Sequence, residues 1–147
     1  MKIFLSMLVA VLFLTGLPVR GEANVLLILD ASGSMWERLE SGEFRIVAAK
    51  RVLGELADQW PLDEMKIGLR VFGTQQDAGE EGACQDSRLL LPLGPIDRGR
   101  LKATIRGISP RGAAPLAFSL RQAVKDFPRE AENKMILLVT DGEEGCR

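Results

Sequence analysis

After the apolar run Val25 to Leu29 the chain reads Asp30-Ala31-Ser32-Gly33-Ser34-Met35. One carboxylate and two hydroxyls therefore fall on alternate residues of a tight loop, where alternate positions can converge on one point. A second apolar run, Met135 to Val139, ends in Thr140-Asp141-Gly142-Glu143-Glu144. If the two runs are neighbouring strands, Asp30 and Asp141 stand side by side. Such a set of oxygens suits a hard divalent cation, because magnesium takes a near-octahedral shell and keeps several waters, so a few carboxylates and hydroxyls on loops suffice. Each piece alone also has a plain structural account: Asp30, Ser32 and Ser34 are turn and N-cap types, and Asp-Gly is a common turn dipeptide. Their joint placement at two strand ends favours the metal site.

The elements that must position these residues follow from periodicity. Val25 to Leu29 is a continuous apolar run, the pattern of a strand buried on both faces of a parallel sheet. From Phe44 to Trp60, Ile46, Ala49, Leu53, Leu56 and Trp60 recur at intervals of three and four, which predicts an amphipathic helix stopped by Pro61. Lys66–Phe72 reads as a second strand, the polar, acidic stretch 73–86 as loop, and Arg88–Leu93 as a third, short strand. Asp97 caps a basic helix to about Gly107, a turn-rich stretch spans Ser109 to Ala114, and Pro115 opens a helix to about Phe127. Met135–Val139 is a further buried strand. Strands alternating with helices predict an α/β fold, a doubly wound sheet with ligands bound beyond the strands' carboxyl ends.

Composition narrows the chemistry. The 147 residues are 46% apolar and 27% charged, with no histidine, no tyrosine and a formal charge of -1. Without histidine there is no Ser-His-Asp or Cys-His nucleophile and no imidazole base in this chain. The balance of 19 basic and 20 acidic residues, with no long basic run, gives no footprint for nucleic acid. The length fits one domain with a real core.

Residues 1–23 read as a secretory signal. Met1 and Lys2 start it, Ile3 to Leu14 is almost wholly apolar, and Gly21-Glu22-Ala23 offers small residues for a cut after Ala23. The alternative is a membrane anchor, but the apolar stretch is shorter than the roughly 20 residues a spanning helix needs. After cleavage the mature chain, residues 24–147, is secreted or periplasmic and has no membrane span. In an oxidising compartment the only two cysteines, Cys84 and Cys146, are expected to form one disulfide; in a reducing one they would be free thiols.

With these residues in view, Val25 to Met35 resembles the opening strand of a von Willebrand factor type A domain with its D-x-S-x-S metal-ion-dependent adhesion site. Val139 to Glu144 is similar to that family's other aspartate loop, and Arg111-Gly112-Ala113-Ala114-Pro115-Leu116 lies between them in the family's order. The resemblance implies a Rossmann-like, mostly parallel sheet flanked by helices, in which Asp30, Ser32, Ser34 and Asp141 hold magnesium or manganese. A partner's acidic side chain would complete the metal shell. The sequence departs from the family in two places. Where the family's middle loop typically carries a threonine ligand this chain has Ala114, whose methyl cannot coordinate, and Ser109 and Ser119 are in the wrong register to replace it. The chain also stops shortly after Asp141, so residues 24–147 correspond to the N-terminal two-thirds of such a domain, without its last strands. Met135–Val139 is then expected to be a bare apolar edge, open to self-association.

The leading expectation is an exported binding module, not an enzyme, that holds an acidic group of a protein or peptide through a magnesium site. A second expectation is a degenerate scaffold that binds partners without metal. A third, magnesium-dependent phosphoryl hydrolysis, is disfavoured: haloacid-dehalogenase-like enzymes normally carry a second aspartate two positions after the first, and here that position is Ser32. Glu80, Glu81, Glu143 and Glu144 read as solvated loop charge rather than a second cation site, and Arg98, Arg100, Lys102 and Arg106 as a basic helix face open to solvent or to an acidic partner. Trp60 is expected in the core, while Trp36 follows the metal loop and is undecided between core and ligand surface.

Overall fold

The computed structural model describes residues 22–146. The expected leader lies almost wholly in residues 1–21, outside them. Four strands form one sheet: β1 (Ala23–Asp30), β2 (Met65–Phe72), β3 (Ser87–Gly94) and β4 (Lys134–Val139). Their order is β3-β2-β1-β4. Strand β1 runs parallel to both β2 and β4, and β3 is antiparallel to β2. The antiparallel edge has a simple cause. A parallel return needs a crossover, usually helical, and the 73–86 connection supplies only polar loop and one short 3-10 turn, Ala83–Gln85. The chain thus forms a mixed open α/β sheet with helices on both faces.

Helices α1 (Arg45–Gln59) and α2 (Arg98–Arg106) cover one face, and α3 (Leu116–Ala123), continued by a 3-10 turn to Asp126, covers the other. Alternation along β1 divides its side chains between two cores. Val25, Leu27 and Leu29 pack with Ile46, Ala49 and Leu53 of α1 and with Leu101 and Ile105 of α2. Leu26 and Ile28 pack with Ala123, Leu116 and Leu120 on the α3 side. Full burial of β1 on both faces is what its unbroken apolar run implied. In α1 the buried stripe is Ile46, Ala49, Leu53 and Ala57, and Leu56, predicted to belong to it, is half-buried beside it. Trp60 lies partly buried against the same core.

Asp97 caps α2 as expected, its Oδ1 accepting the Arg100 amide at 2.7 Å. Two of the four basic residues of α2 differ from expectation, while Arg100 and Arg106 are exposed to solvent as expected. Arg98 donates from Nε to the Ala57 carbonyl (2.7 Å) and from Nη2 to that of Trp60 (3.0 Å), and Lys102 pairs with Asp58 at 2.6 Å. Arg98 and Lys102 tie α2 to the carboxyl end of α1, where cations meet unpaired carbonyls. On the α3 face, buried Arg70 of β2 is held by a two-pronged pair with Asp126 (2.7 and 2.8 Å) and by Ser87 (3.0 Å). That pairing satisfies a charge that would otherwise be costly inside a core.

Cys84 and Cys146 are bridged, with Cα atoms 5.5 Å apart and a sequence separation of 62. Closing so long a loop stabilises the fold by about 4 kcal/mol in the chain-entropy model. Replacing both cysteines by serine, or reducing the bridge, is therefore expected to lower unfolding free energy by about 2–4 kcal/mol, read by urea denaturation with and without reductant. An unchanged midpoint would show that the bridge does not constrain the unfolded chain.

Candidate functional site

The parallel register of β1 and β4 pairs Leu29 with Val139, so Asp30 and Thr140 leave the sheet together. Strand β1 connects through α1 to β2 on one side and has β4 on the other. This is the reversal of strand order at which open α/β sheets build their sites. Three loops meet there.

The first loop folds on Asp30. Its carboxylate is fully buried, and Oδ1 accepts the Ser32 amide at 2.8 Å, an Asx-type turn that reverses the chain into a 3-10 turn at Gly33–Trp36. Met35 anchors that turn in the core. The consequence is local and chemical: the Ser32 and Ser34 hydroxyl oxygens stand 3.0 Å apart.

The second loop, 109–115, packs against the first through its backbone. Gly33 N donates to Gly112 O (2.8 Å), while Arg111 N is shared between Ala31 O and Gly73 O (3.0 Å each). Two glycines make this approach possible. Gly73 has φ +76°, and a Cβ there would lie 2.8 Å from Ser32 N and 2.7 Å from Ala113 O. A Cβ on Gly112 would lie 2.0 Å from Gln76 O. Trp36 joins the same two loops, donating from Nε1 to Pro110 O at 3.0 Å while its ring stays 48% exposed at the rim.

The third loop is Thr140 to Cys146. Thr140 Oγ1 donates to Asp30 Oδ2 at 2.6 Å and accepts the Gly142 amide at 3.0 Å. Asp141 Oδ2 accepts from Arg45 Nη1 at 3.0 Å, and Arg45 Nη2 pairs with Glu37 at 2.9 Å. Glu144 accepts the Ala117 amide (2.7 Å) at the start of α3 and the Cys146 amide (3.0 Å), so it holds the loop to the helix and is not free loop charge. Gly145 N donates to Ala114 O at 2.9 Å.

Asp30, Ser32, Ser34 and Asp141, all singled out from the sequence, thus come together. Ala114 lies buried in the α3-side core, where its methyl offers no oxygen. Two residues of the site were missed. Thr140 carries a signal in hindsight, since it lies in register with Asp30 if the strands are neighbours. Arg45 reads as an ordinary charge at a helix start and carries none. Among the described residues no three carboxylate or thiol side chains gather into a metal-holding group.

Burial raises the pKa of Asp30 above the usual carboxylate range. The hydrogen bonds from Ser32 and Thr140 offset part of that rise, and the nearby charge of Asp141 adds to it. A cation beside Asp30 would relieve both causes. The hydroxyl pair also fits one, since adjacent ligands of an octahedral ion bound at 2.0–2.1 Å lie about 3.0 Å apart.

Open α/β domains of this kind carry their sites at such a strand reversal. The chain belongs to the von Willebrand factor type A domain family, whose profile matches residues 25–144. It is 29% identical over 137 residues to the uncharacterised protein YwmC of Bacillus subtilis strain 168, covering 90% of this chain and 60% of that one. It is also similar to the crystal structure of an aerotolerance-related membrane protein from Bacteroides fragilis. That likeness has 28% identity and a TM-score of 0.62 over 82% of this chain and 54% of the other. The von Willebrand factor domain of the type V pili tip protein Mfa5 from Porphyromonas gingivalis shares the fold, with 18% identity and a TM-score of 0.61 over 82% of this chain and 38% of the other. The chain therefore spans somewhat over half the length of the first two relatives.

The raised pKa of Asp30 predicts a pH dependence. A carboxylate favoured in its neutral form by folding costs nothing below its unfolded pKa of about 3.9, and stability falls as pH rises through the folded value. Asp30→Asn keeps an acceptor for Ser32 and removes the charge. In chelator its melting temperature is expected to equal the parent's near pH 3.5, about where both carry a neutral side chain, and to exceed it at neutral pH. A variant less stable than the parent at neutral pH would contradict the burial argument.

Proposed function

We propose that this domain is a binding module whose three-loop site holds magnesium or manganese through Ser32, Ser34, Asp30 and Asp141, directly or through water, and uses the ion to engage an acidic group of a protein or peptide. The observation that carries this reading is the 3.0 Å hydroxyl pair set beside a buried carboxylate at the end of β1. A bound ion would supply a Lewis-acidic position for the partner's carboxylate. The chain's own residues do the rest: Ser32 and Thr140 orient Asp30, Arg45 pairs with Asp141, and exposed Trp36 and Leu39 border the mouth. We assign no reaction. The position two residues after Asp30 is a serine, and the groups at the site bind and orient rather than transfer protons or attack.

Export accords with this reading. The N-terminal sequence has signal architecture, and the chain carries a disulfide. One relative, 28% identical, is named as a membrane protein.

A second reading has its own observation. Arg45 already neutralises Asp141, and Ala114 supplies no oxygen, so the site can stand as a metal-free scaffold that binds partners through loop shape. Thermal unfolding of the oxidised chain during magnesium and manganese titration separates the two, because a ligand that binds only the folded state must raise its melting temperature. The metal reading expects an upward shift, lost in Asp30→Ala. A melting temperature indifferent to millimolar metal would support the scaffold instead.

Arg45 makes that test sharper. Its guanidinium competes with any cation for Asp141, and removing a like charge a few ångströms from an ion is worth about 1–2 kcal/mol where water screens it fully. Arg45→Met is therefore expected to tighten the apparent magnesium affinity by about 10-fold, measured by isothermal titration calorimetry. Weaker binding in this variant would assign Arg45 to holding Asp141 in place rather than to competing for it.

A further inference from the structure

Trp36 closes the 3-10 turn that carries Ser34, and it is 48% exposed. Three residues per turn place Ser34 and Trp36 on either side of Met35, whose side chain is buried. Hydroxyl and indole therefore both leave the same turn away from the core. The ring is held in place. Its Nε1 donates to Pro110 O at 3.0 Å, and it meets Phe44 with centroids 5.6 Å apart and planes at 88°. Arg38 lies over the Phe44 ring, its guanidinium carbon 3.9 Å from the centroid.

The groups that fix Trp36 belong to the first two loops and to the start of α1. Pro110 precedes Arg111, whose amide is shared by Ala31 O and Gly73 O at the ends of β1 and β2. Trp36 thus stands on the β2 side of the first loop, and it does not line the groove beside β4. An indole fixed at its nitrogen and still half exposed offers rigid apolar area at little cost in lost rotamers.

We propose that Trp36 is a specificity platform: the peptide whose acidic group the site engages carries an apolar side chain next to that acidic residue, and this side chain packs on the indole. This rests on the reading of the site as one that engages an acidic group.

Reach selects the neighbouring residue. A turn that rises about 2 Å per residue separates positions 34 and 36 by about 4 Å along its axis. Neighbouring Cα atoms of a peptide are about 3.8 Å apart, so the side chain beside the acidic residue is the one that arrives at the indole. Charge selects its type. Arg38, fixed on Phe44 beside the indole, repels a lysine or arginine placed there, and Glu37, the adjacent acid, is already paired with Arg45. A small polar side chain gains nothing on the ring, whereas an apolar one buries area against it.

Isothermal titration calorimetry of the full, oxidised chain in saturating magnesium tests this with three blocked tripeptides: N-acetyl-Leu-Asp-Leu-amide, N-acetyl-Ser-Asp-Ser-amide and N-acetyl-Lys-Asp-Lys-amide. The leucine peptide is expected to bind about 10-fold more tightly than the serine peptide, the gain from burying part of one apolar side chain. Trp36→Ala is expected to erase that difference by lowering the leucine peptide's affinity to that of the serine peptide. Trp36 and Trp60 are the two tryptophans, so Trp60→Phe isolates the emission of Trp36, which is expected to move to shorter wavelength with the leucine peptide alone. Binding of none of the three, equal affinities in the parent, a preference for the lysine peptide, or a leucine preference that survives Trp36→Ala overturns the proposal. So does an equal loss for the leucine and serine peptides in Trp36→Ala, which would assign Trp36 to holding the loops together. A melting temperature that rises with magnesium while the leucine peptide gains nothing removes the platform alone. One indifferent to magnesium, with no peptide bound, removes the acid-binding site and the platform with it.

Discussion

The structure depends on one buried carboxylate. Asp30 sits at the end of the central strand with no exposure to water, and an ionised group there is tolerated only if its oxygens find donors. One donor is local, the Ser32 amide, and it dictates the reversal of the first loop. The other is remote: the Thr140 hydroxyl reaches Oδ2 only because β4 lies alongside β1 in the register that pairs Leu29 with Val139. Sheet order, register and site are therefore one problem. A slip of β4 by one residue would withdraw the hydroxyl, turn the strand's apolar side chains to the wrong faces and leave Asp30 half-satisfied.

The same constraint explains why the site is assembled largely by backbone. The middle loop contributes amides and carbonyls to Gly73, Ala31 and Gly33, and glycine at 73 and 112 removes the Cβ atoms that would hold it away. Close backbone packing leaves little freedom to the hydroxyls of Ser32 and Ser34. Their spacing follows from the turn, and a ligand would find it already formed, which lowers the ordering cost of binding.

Most of the fold is legible in the sequence because its signals are physical and local. The unbroken run at 25–29 reads as a doubly buried strand, and the three-and-four spacing from Ile46 to Leu53 reads as α1. The two cysteines leave a single intramolecular pairing. What escapes the sequence is set by tertiary context. The antiparallel direction of β3 depends on the absence of a crossover, not on any pattern within Arg88–Leu93. The substitution of Ala57 for Leu56 in the helix stripe depends on how α1 is rotated against the sheet. Arg98 and Lys102 look like free surface charge until the end of α1 is placed beneath them. Arg45 shows the limit most clearly, because its partners Glu37 and Asp141 lie on different loops that only the finished sheet brings together.

Arg45 also bears on how the site copes with alanine at 114. The methyl of Ala114 joins the α3-side core, and the third loop closes directly over it: Gly145 donates to its carbonyl, and a Cβ at 145 would lie 3.0 Å from its amide. The disulfide at Cys146 and the Glu144 contact to α3 hold the loop in that position. The methyl of Ala114 thus packs beneath the loop that carries Asp141. Charge compensation then falls to Arg45, but Glu37 shares its guanidinium. Glu37 is largely open to water, so the unscreened balance is Asp30 and Asp141 against one arginine, which leaves the site net negative when Asp30 is ionised. A cation is the simplest group that could balance it.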